Sequence, residues 1–133
     1  DATRSLGLEQ RVRWAGWQND PTPFFALGDV FVCPSRHEPL GNVILEAWQH
    51  HLPVLSTRNE GAQALVQDGD NAVFAPLADP PGLAEAMKRL LAMNAGERKR
   101  LADAGHATVQ REHHEDAVVA AYLALYQQLR HRS

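Results

Sequence analysis

Seven residues separate two acids, Glu38 and Glu46, and one of the seven is a glycine, Gly41. An ionised carboxylate only accepts hydrogen bonds, which suits the paired hydroxyls of a ribose or a hexose. A glycine at a helix start lets a ligand approach the backbone with no Cβ in the way. The free N–H groups there, with the helix dipole, attract an anion such as phosphate without any basic side chain. If a helix starts at Asn42, Glu46 lies about one turn further on the same face. Acids beside a phosphate repel it unless hydroxyl groups occupy them. A ligand with phosphate in its middle and sugars at both ends meets all three demands, and a nucleotide-diphosphate sugar is such a ligand. The pair alone also fits a solvated loop acid and a helix-surface charge, and the bare residues leave both readings open.

The chain around this segment alternates short apolar runs with helix-length stretches. Residues 12–15, 29–33, 53–56 and 72–75 are each four or five residues long and nearly continuous in apolar character. That fits strands buried on both faces, as in a parallel sheet. Residues 21–27, 42–50 and 61–67 lie between them as helices, which gives right-handed βαβ units. The expected fold is therefore α/β, a Rossmann-like parallel sheet of about four strands with flanking helices. Ligands in such sheets bind beyond the carboxyl ends of the strands, where residues 34–41 emerge. After the last run only helices are expected. Asp79 is a good N-cap with Pro80 behind it, and Leu83, Met87, Leu90 and Leu91 form its apolar stripe. Asn94 and Glu97 make a capping box. Val118, Tyr122, Leu125, Tyr126 and Leu129 stripe a last helix, ending in a basic tail at 130–132.

Composition excludes several functions. Thirteen Lys+Arg against sixteen Asp+Glu give a net charge of −3, so no nucleic-acid partner is expected. The longest apolar run, residues 117–126, has ten residues, and a membrane span needs about 20. No signal peptide is visible at the start. A single cysteine, Cys33, excludes an internal disulfide and a multi-cysteine zinc site, and points to a reducing compartment. Cys33 and Trp48 read as core. The histidine pairs 50–51 and 113–114 lack ligand spacing and read as basic residues at helix ends. A start at Asp1 rather than Met suggests a piece of something longer.

Residues 34–49, PSRHEPLGNVILEAWQ, closely resemble the E-x7-E segment of retaining GT-B glycosyltransferases of the family-4 type. Residues 14–16 with Asn19 and Asp20 resemble that family's V-x-F-x-G loop, and 26–34 its A-D-x-F-V-x-P-S strand. Residues 53–61 and 68–76 resemble its PV-x-x-T-x-x-G and DG-x-x-G-x-x-x-P stretches. The resemblance spans nearly the whole chain, with the motifs in order.

It implies that residues 1–133 are part of the C-terminal, donor-nucleotide-binding domain of a GT-B fold, with the acceptor-binding N-terminal domain and the first strands upstream. It implies transfer of a sugar, with retention, from a nucleotide-diphosphate sugar to an acceptor hydroxyl, in polysaccharide, lipopolysaccharide or glycolipid synthesis. Glu38 would be the catalytic carboxylate, touching hydroxyls of the donor sugar. Leu40, Gly41, Asn42 and Val43 would offer backbone N–H groups to the distal phosphate and sugar, and Glu46 would bind the ribose. Gln18, Asn19 and Asp20 would border the nucleobase. Arg36 and His37 would lie near the donor. The donor is a substrate, and no cofactor or metal is implied. A sugar or lipid-linked acceptor would be held by the absent domain. The family's diphosphate-clamping Arg and Lys also lie upstream, so the piece alone would be inactive. A cytoplasmic enzyme, peripheral at the inner face of the membrane, is implied. Two departures stand out: Ala64 replaces a usual acid, and Asn71 a common glycine. Alternatives are a GT-B-fold nucleotide-sugar epimerase and a non-catalytic packing module. The strand at 12–15 should either pair with the strand at 29–33 or leave an open edge, and that edge with an apolar last helix favours self-association.

Overall fold

The computed structural model describes residues 2–130. The element order is α1 (Ala2–Ser5), α2 (Thr22–Leu27), β1 (Phe31–Cys33), α3 (Asn42–Gln49), β2 (Val54–Thr57), α4 (Glu60–Leu65), β3 (Val73–Ala75), α5 (Pro80–Ala92), α6 (Ala95–Thr108) and α7 (Glu115–Arg130). A short π-helical stretch, Val109–His113, joins α6 to α7. Beyond Arg130, the expected basic tail lies outside the described residues.

The sheet is parallel in the order β1-β2-β3, with Phe31 opposite Val54 and Leu55 opposite Val73. Side chains alternate across it. Cys33, Val54 and Phe74 join Ile44, Ala47 and Trp48 of α3 and Ala62 of α4 in one core cluster. Leu55, Val73 and Ala75 meet Ala86 and Leu90 of α5 and Leu101 of α6 in a second. The two crossover helices thus cover one face, and α5 covers the other, which is why the strands read as continuous apolar runs.

Local signals place the helices. Asp79 Oδ1 accepts from Gly82 N at 3.1 Å at the start of α5. At the start of α6, Asn94 N donates to Glu97 Oε2 (2.8 Å) while Glu97 N donates to Asn94 Oδ1 (3.0 Å), completing the capping box. The indole of fully buried Trp48 donates to the Asn71 carbonyl at 3.1 Å. Asn71 Oδ1 accepts from Gln67 N (2.8 Å) and its Nδ2 donates to Leu65 O (3.1 Å). The unusual asparagine therefore closes the turn before β3 with its own side chain.

The sheet has three strands rather than about four. Residues 12–15 form no strand, because no strand among the described residues lies beside them to complete a ladder. The Trp14 indole instead donates to Thr3 Oγ1 at 3.2 Å. β1 keeps an open edge, the second of the two expected outcomes.

None of the residues of α7 is buried, and its stripe from Val118 to Leu129 stays exposed. An open strand edge and an exposed apolar helix both favour association. The isolated chain is expected to self-associate, with a second copy covering these surfaces. A strictly monomeric species by light scattering at high concentration would refute this. Among the described residues no helix is long and apolar enough to cross a membrane.

Candidate functional site

All three strands run the same way, so Cys33, Thr57 and Ala75 end at one edge of the sheet. The loop leaving β1 carries Ser35 to Leu40 along that edge and delivers the chain to Gly41 and α3. Gly41 is the α3 N-cap, with φ +72°, and no side chain of its own caps the helix. A Cβ at Gly41 would lie 2.7 Å from Leu65 Cδ1 and 3.3 Å from the Gly61 backbone. On the other side of this contact, a Cβ at Gly61 would overlap the backbone of Glu38, Leu40 and Gly41. Two glycines therefore let the α3 and α4 starts touch backbone to backbone. Its positive φ and its packing make Gly41 a folding residue.

Glu38 is half-buried. Its carboxylate accepts from Gly41 N at 3.3 Å, and its backbone carbonyl accepts from Gly61 N at 2.6 Å. The amides of Leu40, Asn42 and Val43 have no acceptor among the described residues. They stand unpaired at the start of α3, while Glu38 already holds the Gly41 amide. The Glu46 side chain is exposed and makes no hydrogen bond or ion pair among the described residues. Unpaired N–H groups thus lie at the positive end of the α3 dipole, with Glu46 about one turn further along the helix.

Neighbouring charges sort into paired and unpaired. His37 Nδ1 lies 3.3 Å from Glu60 Oε1. Glu60 is held below the ordinary carboxylate range, first by its own backbone N–H at the α4 start and then by His37. Arg58 packs over the Phe74 ring at 4.2 Å and pairs with Asp68 at 3.3 Å. Arg36 has no ion pair or hydrogen bond among the described residues and borders a small cleft with Pro34, Thr57 and Asp79.

Gln18, Asn19 and Asp20 do not join this site. Gln18 Nε2 donates to Ala15 O (2.7 Å), and Asn19 Oδ1 accepts from the Trp17 indole (3.2 Å). Asp20 Oδ1 accepts from Thr22 N at 3.0 Å, and its hydrogen bonds with Thr22 hold its carboxyl below the usual range. The charged group that Asp20 feels is His50, at the end of α3 remote from Gly41. The loop after Gly16 lies by the strand starts, near Val30 and Leu52. There Gly16 and Trp17 border an apolar cleft of about 360 Å³ with Phe24, Phe25, Phe31 and Leu52. Trp17 is 89% exposed.

Sequence reasoning missed Thr57, Asn59 and Gly61. The glycine and threonine stood in a recognised motif, but nothing local showed that they grip a loop more than 20 residues away.

Residues 1–93 match the family described as Glycosyl transferases group 1. The chain is 48% identical over 120 residues to the lipopolysaccharide core biosynthesis glycosyltransferase LpsE of Rhizobium meliloti (strain 1021), covering 90% of this chain and 35% of that protein. It is 39% identical over 124 residues to LpsD of the same organism, a protein of the same description, covering 93% and 36%. Among solved structures, sucrose-phosphate synthase from Thermosynechococcus elongatus superposes with a TM-score of 0.85 at 29% identity, covering 99% of this chain and 33% of that one. HepE from Anabaena, in complex with UDP-glucose, superposes at 0.79 with 27% identity, covering 96% and 34%. The chain thus spans about a third of the length of the proteins it matches.

Proposed function

This chain belongs to the group 1 glycosyl transferases, and from that membership we propose that it is the donor-binding part of a GT-B enzyme's C-terminal domain. The enzyme moves a sugar, with retention, from a nucleotide-diphosphate sugar to an acceptor hydroxyl in lipopolysaccharide or polysaccharide synthesis. The observation that carries the reading is the α3 start, where unpaired amides of Leu40, Asn42 and Val43 follow the Glu38 carboxylate and Glu46 stands one turn further along the helix. Support also comes from relatives named for lipopolysaccharide core biosynthesis and a similar structure captured with UDP-glucose.

In this proposal the amides receive the distal phosphate, and the helix dipole stabilises the charge that builds on the leaving diphosphate. Glu38 receives hydroxyls of the sugar, and Glu46 those of the ribose. No resident metal or cofactor is needed. Sequence outside this chain supplies the acceptor site and more positive charge, and the enzyme works on the cytoplasmic side of the membrane.

Glu46→Gln in the enzyme with its flanking sequence tests this. A neutral amide weakens a charge-assisted hydrogen bond, so affinity for UDP is expected to fall by about 1–3 kcal/mol, or roughly 5–150-fold. Since Glu46 is exposed and unpaired, the melting temperature should stay unchanged. Equal UDP affinity in isothermal titration would remove Glu46 from the ribose site.

A further inference from the structure

We infer that Thr57 and Asn59 are positioning residues for Glu38. Both are buried, Asn59 to 1% exposure, at the end of β2. Thr57 Oγ1 donates to the Ser35 carbonyl at 2.6 Å. Asn59 Nδ2 lies 3.4 Å from the same carbonyl and 3.4 Å from Thr57 Oγ1. Asn59 Oδ1 in turn accepts from Ala62 N at 2.9 Å, capping α4. One asparagine side chain thus ties the start of α4 to the loop after β1.

Two more bonds fasten that loop further on. Gly61 N donates to the Glu38 carbonyl, and the Glu60 carboxylate meets His37. Ser35, His37 and Glu38 are therefore gripped in turn by the segment 57–61. The grip fixes the backbone on which the Glu38 carboxylate swings to Gly41 N. Removing either donor weakens the hold on the half-buried Ser35 carbonyl, so the loop is expected to shift when the hydroxyl or the amide is lost. Thr57 and Asn59 act through the loop and touch no substrate.

The role of Glu38 toward a sugar rests on the function proposed above, but its position can be read without any ligand. Glu38→Gln removes the charged acceptor of the Gly41 amide, so that substitution should move the Gly41 amide resonance in the wild type. Added to Thr57→Ser, which keeps the hydroxyl, it should give the same movement. Thr57→Val keeps the shape without the donor, and Asn59→Asp keeps the cap but replaces the NH₂ by an acceptor. In both of these, Glu38→Gln should move the resonance with much of the amplitude lost, because the carboxylate is no longer placed on that amide. In parallel, their preference for UDP-glucose over UDP should fall by roughly 2–10-fold, since only the sugar meets Glu38.

Full amplitude in either Thr57→Val or Asn59→Asp would overturn the inference. So would absence of the movement in the wild type. Unfolding of both variants would also overturn it, because the cluster would then hold the domain rather than the loop. If the wild type binds neither UDP-glucose nor UDP, the functional reading fails, while the resonance experiment still judges the positioning role.

Discussion

Replacing Trp48 with alanine is expected to lower the unfolding free energy by about 3–5 kcal/mol. That is a large part of the roughly 5–15 kcal/mol available to a small domain. Trp48 is fully buried against α6, where Gly105 leaves room for the ring. Its indole N–H holds the Asn71 carbonyl, and its own carbonyl meets His106 Nδ1 at 3.2 Å. Alanine would leave a cavity among α3, α6 and the turn before β3, and an unanswered carbonyl in it. Trp48→Phe should recover most of the packing but not the hydrogen bond, and should fall between. Urea titration reads the difference. A loss below about 1 kcal/mol for Trp48→Ala would show that α6 closes onto α3 without the ring.

Valine at Gly41 is the second large effect, and it strikes folding and binding together. The positive φ alone is expected to take about 1–3 kcal/mol from stability. The added carbons also meet Leu65 and the Gly61 backbone. Relief requires α3 and α4 to part, which moves the Glu38 carbonyl off Gly61 N and scatters the amides of residues 40–43. UDP affinity should therefore fall at least as steeply as stability. Gly41→Ala should show the strain of φ with less of the overlap. A thermal melt identical to wild type would show that the left-handed turn carries no strain. Full UDP affinity in a destabilised Gly41→Val would show that the glycine serves the fold alone.

The sequence by itself determined what local chemistry can encode. Asp79 and the Asn94–Glu97 pair mark helix starts because a cap needs only its own next few residues. Three of the four short apolar runs became parallel strands with their faces buried, as their composition implied. Family membership was equally legible, since it rests on the order of motifs. What tertiary structure decided were contacts set by register across the sheet. The Ser35 carbonyl finds Thr57 and Asn59 only because β1 lies beside β2 in one particular alignment. Gly61 must lack a side chain only because the α3 start passes against it. Asn71 departs from the family pattern yet is anchored by Trp48 from a different helix. Residues 12–15 have the composition of a strand, but a strand exists only when a neighbour receives its hydrogen bonds, and no neighbour lies beside them among the described residues.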